Sequence, residues 1–166
     1  MLKSLLPLAA IAALASPSVA TAGTPLETQA VMAAGTCQSA LPVFDGVIRK
    51  RPLAVQNEGD SSAFITCGME GVLNASAVTS EVTMALTNTA DVEVIVNCTL
   101  VDGRAGFSNP VYLVNSIKIA PNAPLGILTW AAADNGGDNF VYPAISCALP
   151  PGAGIIAVGR EIARAL

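Results

Sequence analysis

The chain contains no histidine. That one absence removes Ser-His-Asp and Cys-His catalysis, imidazole acid–base chemistry and His-ligated zinc. A serine–lysine dyad would have to use Lys50 or Lys118, and neither stands in a recognisable nucleophile motif. Twelve Asp and Glu residues remain, and glycoside hydrolysis needs only two carboxylates. Most of them fall in turns or on the polar side of alternating segments, where solvation is the simplest role. The sequence therefore reads as non-enzymatic, with a carboxylate-based glycan-active enzyme as the remaining catalytic alternative, and nothing in it calls for a cofactor.

Three other groups have the chemistry to bind. Asp134-Asn135-Gly136-Gly137-Asp138-Asn139 sets four oxygen-bearing side chains around two glycines. Asp134, Asn135, Asp138 and Asn139 are thus a weak candidate set for a hard cation such as calcium. The same residue types also make a tight turn, and the full EF-hand spacing with its terminal Glu is missing, so the turn reading is preferred and no metal is favoured. Arg49-Lys50-Arg51, just before Pro52, is a basic cluster that would suit an acidic polysaccharide or lipid head group, or would protect a sheet edge from pairing with another chain. Trp130, the single tryptophan, would stack on a sugar or, more simply, fill a core.

The elements that position these residues follow a period of two. Val82, Met84 and Leu86 share one face against Glu81, Thr83 and Thr87, and Val92, Val94, Val96, Cys98 and Leu100 alternate after the turn at Asn88–Asp91. These two segments predict a hairpin. Further strands are predicted around Leu53 and Val55, Ala63–Cys67, Val111–Leu113, Ile117–Ala120, Gly126–Trp130, Ala144–Leu149 and Ile155–Val158, with a helical turn or a frayed end over Arg160–Leu166. Short strands separated by turns every eight to twelve residues predict one antiparallel β-sandwich, immunoglobulin-like or jelly-roll-like.

The N-terminus sets the redox setting. Lys3, the apolar run Leu5–Ala15, Pro17 and two A-x-A-like sites ending at Ala20 and Ala22 read as a cleaved signal peptide over residues 1–22. The apolar run is about half of what a spanning helix needs. Residues 23–36 then form a leader or first edge strand, and residues 37–166 the disulfide-bonded domain. Leu26, Thr28, Ala30 and Met32 alternate with Glu27 and Gln29, so this segment would also suit strand addition to another subunit, though a disordered or self-paired strand is the simpler reading. In an exported chain Cys37, Cys67, Cys98 and Cys147 predict two disulfides. Three connectivities are open, and Cys37 with Cys67 and Cys98 with Cys147 is favoured.

Removing Lys3 leaves seven basic against twelve acidic residues, a net charge of −5. That balance argues against nucleic acid, which needs clustered Lys and Arg, and no later segment is long and apolar enough to span a bilayer. The runs Cys98-Thr99-Leu100-Val101-Asp102-Gly103, Leu128-Thr129-Trp130 with Asp134-Asn135-Gly136-Gly137, and Ile145-Ser146-Cys147-Ala148-Leu149-Pro150-Pro151-Gly152 resemble a group of short exported proteins of Gram-negative bacteria. That group shares four cysteines and a C-terminal Cys-x-Leu-Pro-Pro-Gly motif. The resemblance implies export and a β fold and brings no catalytic residue with it. The expectation is a periplasmic or extracellular protein with a structural or binding role, its partner a protein or envelope component. A secreted inhibitor or ligand-binding module is the alternative.

Overall fold

Alternation of period two turns one side of almost every strand toward a shared core, and the chain answers with two facing sheets. The computed structural model describes residues 26–71, 77–103 and 109–164. The elements in order are β1 (Leu26–Met32), α1 (Ala33–Thr36), β2 (Cys37–Ser39), β3 (Ile48–Arg51), β4 (Ala54–Asn57), β5 (Ala63–Gly68), β6 (Ala77–Asn88), β7 (Val94–Asp102), β8 (Val111–Ile119), β9 (Gly126–Ala131), β10 (Ala144–Leu149) and β11 (Ala153–Arg164). One sheet runs β3-β4-β11-β6-β9, with β1 also on β11, and the other runs β2-β5-β10-β7-β8. Strands β4 to β11 alone give the orders 4-11-6-9 and 5-10-7-8, which is a jelly roll. The signal peptide and its cleavage sites lie outside the described residues.

The core lies between the sheets. Val55, Val82, Met84, Leu86, Trp130 and Ile155 come from one, and Ile65, Val96, Leu100, Ile145 and Leu149 from the other. Each such aliphatic side chain contributes roughly 1.5–3 kcal/mol when buried. The favoured disulfides are the ones formed, and both lie within the second sheet. Cys37 stands opposite Cys67, and Cys98 opposite Cys147. Their Cα separations are 4.0 and 4.1 Å, nearest to the closer of the two antiparallel pair spacings, about 4.5 Å. From the facing sheet, Met84 Sδ packs 3.4 Å from Cys147 Sγ. Neither sulfur carries a hydrogen, so this is a packing contact of two polarisable atoms.

Three sequence expectations are corrected here. The segments at 82–86 and 92–100 are not a hairpin: β6 pairs with β11 and β9, and β7 with β10 and β8. Their apolar faces meet across the core, and residues 89–93 carry the chain from one sheet to the other. Alternation alone cannot separate two strands that share a sheet from two that face each other. Val111–Leu113 and Ile117–Ala120 are one continuous strand, β8, because Val114 and Ser116 keep their outward places in the register with Thr99 and Asn97. Arg160–Arg164 is neither helical nor frayed but the second half of β11, held by β6 on one side and β1 on the other.

The free edges at β8 and β9 are closed by side chains. Trp130 Nε1 donates to Leu113 O at 3.0 Å, and Asn115 Nδ2 to Thr129 O at 3.0 Å. Each bond ties one sheet's edge strand to the other's. Trp130 is therefore core and clasp, buried to 1% exposure.

Candidate functional site

The opposite margin of the sandwich is open. There β1 extends the first sheet beside the end of β5 in the second, and α1 connects β1 to β2. Seven residues of β1 pair with β11, from Leu26 opposite Ala163 to Met32 opposite Ala157. None of the seven is buried. The alternation seen in the sequence is inverted in use: Leu26, Thr28, Ala30 and Met32 are exposed, while Glu27 and Gln29 are half-buried. Two arginines of β11 explain this. Arg164 Nε donates to Glu27 Oε2 at 2.9 Å, and Arg160 Nε and Nη2 donate to Gln29 Oε1 at 3.1 and 2.8 Å.

Arg160 occupies the middle of the inward row Val158, Arg160, Ile162, where the pattern calls for an apolar residue, and it is 8% exposed. Its Nη1 donates to the backbone carbonyl of Glu70, so the guanidinium reaches from one sheet to the loop that leaves the other. Three of its five N–H bonds are spent on two neutral oxygens. One N–H on each terminal nitrogen has no acceptor among the described residues. All twelve Asp and Glu residues are described, and none forms an ion pair with Arg160. Glu27 is felt only through Gln29, whose Nε2 donates to Glu27 Oε1 at 2.9 Å, and the Arg160 charge adds a minor part to the lowering of the Glu27 carboxyl. Burying a charge without a direct ion pair is costly, several kcal/mol per ion in proteins. This guanidinium lines an open cleft of about 800 Å³, together with Thr28, Gln29, Gly35, Thr36, Gly68 and Glu70 among others. A side chain added at Gly35 or Gly68 would meet no neighbouring atom.

The residues singled out in the sequence lie elsewhere. Arg49, Lys50 and Arg51 are β3, an edge strand of the first sheet. Arg51 donates to Glu58 through Nε at 2.8 Å, and Arg49 Nε lies 4.0 Å from the same carboxylate. Lys50 instead lines a second, smaller hollow of about 500 Å³ with Ser39 and Asp45. Asp134 and Asn135 lie at the tight turn after β9. Asp134 Oδ2 accepts from Ala131 N at 2.8 Å, Asn135 Nδ2 donates to Asp138 O at 3.1 Å, and Gly136 and Gly137 take φ values of 69° and 98°. Two of the four calcium candidates thus spend polar groups on the turn itself. No group of three Asp, Glu or Cys residues suited to a metal occurs among the described residues. The sheet register sets Glu81 opposite Glu161 on the outer face of the first sheet.

Arg160 was legible as a charge but not as a site, because its segment reads as a terminus. Its signal is the period-two frame of Val158-Gly159-Arg160-Glu161-Ile162. That frame places Arg160 inward once a strand is accepted there.

Comparison with known proteins gives little further. No protein-family model and no curated protein matches the chain. Among solved structures, the chain is similar to the C-terminal carbohydrate-binding module (CBM6) of a marine laminarinase from Zobellia galactanivorans, at 12% identity and a TM-score of 0.46, over 83% of this chain and 100% of that one. It is also similar to a carbohydrate-binding module (CBM36) in complex with calcium and xylotriose, at 14% identity and a TM-score of 0.36, over 81% and 97%. A likeness of that degree carries no argument about function. The jelly-roll assignment rests on the strand order above.

Proposed function

We propose that this chain is an exported, non-catalytic binding domain, and that the cleft at Arg160 receives an anionic group of its ligand. The observation that carries the reading is the buried guanidinium with a neutral first set of acceptors and N–H bonds left over beside open space. An arginine held that way is preorganised to donate to an oxyanion, because Gln29 and the Glu70 carbonyl fix its plane before a ligand arrives. The cleft offers no nucleophile–base pair, and the single carboxylate among its lining residues is that of Glu70. Two disulfides and the signal-peptide pattern of residues 1–22 support export, to the periplasm or beyond, and the role fits the cell envelope or the surrounding medium.

The test is chemical-shift mapping by NMR on the mature chain, with sodium acetate replacing sodium chloride at constant ionic strength. Saturable shifts confined to residues 28–31, 35–36, 68–70 and 160 are expected. Shifts that spread evenly over Arg49, Lys50, Lys118 and Arg164, with none saturating at Arg160, would remove the reading.

A further inference from the structure

We infer that the ligand of this cleft is an extended peptide ending in a free carboxylate, which lies along β1 and places its terminal oxygens on Arg160. This deepens the anion-binding reading and rests on it. Charge narrows the anion first. Among the described lining residues Arg160 is the one cation and Glu70 the one acid. That near-neutral setting suits a planar monoanion, whereas a phosphate dianion would call for a second cation. The remaining N–H on each terminal nitrogen matches a carboxylate's two oxygens.

The backbone supplies the rest. Among the described residues, strand β1 has a partner on one side only, and four consecutive residues of it, Thr28 to Val31, line the cleft. An edge strand presents alternate N–H and C=O groups to any extended chain beside it. A peptide docked there would gain main-chain bonds from β1, and its final carboxylate would take the open N–H bonds of Arg160, with which no acidic residue of this chain forms an ion pair. Among the described residues, a side chain added at Gly35 or Gly68 would meet no neighbouring atom, and Thr28, Ala30 and Thr36 are small.

The experiment is calorimetric titration of the mature protein with a random-sequence pool of N-acetylated pentapeptides, as free acids and as C-terminal amides. Glucuronate and inorganic phosphate form the comparison arms. The acid pool is expected to bind at least ten-fold more tightly than the amide pool, and Arg160→Lys and Gln29→Glu are each expected to lose that difference. Gln29→Glu is nearly isosteric, so it remains informative if Arg160→Lys fails to fold. Equal binding of acid and amide pools overturns the peptide inference. So does tighter binding of glucuronate or phosphate, which would leave the anion site standing. Binding of none of the four overturns both.

Discussion

Asn57 and Asn88 are one device used twice. Each ends a strand of the first sheet, β4 or β6, and each is buried. Asn57 Oδ1 accepts from Gly59 N at 3.0 Å, and Asn88 Oδ1 from Ala90 N at 2.9 Å. Asn57 Nδ2 donates to Ser61 O and to Leu149 O, at 2.8 and 2.7 Å. Asn88 Nδ2 donates to Val92 O at 2.8 Å and to Ala120 O at 2.9 Å. In both, the amide fixes a turn that carries the chain to the facing sheet and ties it to the end of another strand. Replacing either by Ala strands several buried backbone groups, each worth about 1–3 kcal/mol. Asn57→Ala and Asn88→Ala are each expected to cost about 2–4 kcal/mol in urea unfolding. A loss under 1 kcal/mol would show that water replaces the amide.

The disulfides constrain loops of sequence separation 30 and 49. Chain entropy assigns them about 3.5 and 4 kcal/mol. The double change Cys98→Ala/Cys147→Ala is expected to lower stability more than Cys37→Ala/Cys67→Ala does. It removes the longer loop and also opens a cavity against Met84. Equal losses in denaturant titrations would contradict that order.

Thr79 sits fully buried on β6, and its hydroxyl has no hydrogen-bond partner among the described residues. Thr79→Val keeps the shape and removes the unpaired group, so a gain of about 1 kcal/mol is expected. A loss on thermal unfolding would mean that the hydroxyl is satisfied by water.

Glu27 has its carboxyl held below the ordinary glutamate value of 4.5, first by the Gln29 amide hydrogen bond and then by the Arg164 hydrogen bond and charge. A carboxylate with a lowered folded pKa stabilises the fold fully above its unfolded pKa, and that contribution is lost as pH falls through the folded value. The melting-temperature gap between the native chain and Glu27→Gln should therefore be largest near neutrality and shrink below about pH 4.5. A gap independent of pH would exclude this linkage.

Much of the scaffold was legible before any coordinates. Period two marked most of the strands that form the core, Asn88–Asp91 was visible as a turn, and the cysteine pairing followed sequence order. What the pattern could not supply was partnership. Strands β6 and β7 have the alternation of a hairpin, yet they face each other across the core, because inward and outward are defined by the fold and not by the neighbour in sequence. The same limit hid the cleft. The alternation in β1 was visible but not which side would face in, because the arginines of β11, some 130 residues away, turn Glu27 and Gln29 inward.

The central claim, that Arg160 is kept without a direct ion pair for an external anion, is tested most directly by supplying a carboxylate from within. Gln29→Glu puts a carboxylate where Gln29 Oε1 now lies, 2.8 Å from Nη2, and gives up the Nε2 bond to Glu27 Oε1, so its effect is read on the response to an added anion and not on the starting stability. Thermal unfolding of the native chain and of Gln29→Glu, with acetate replacing chloride at constant ionic strength, then decides the matter. The account predicts a saturable rise in Tm for the native chain and no rise for Gln29→Glu. Parallel responses in the two proteins, or no response in the native chain, would contradict it.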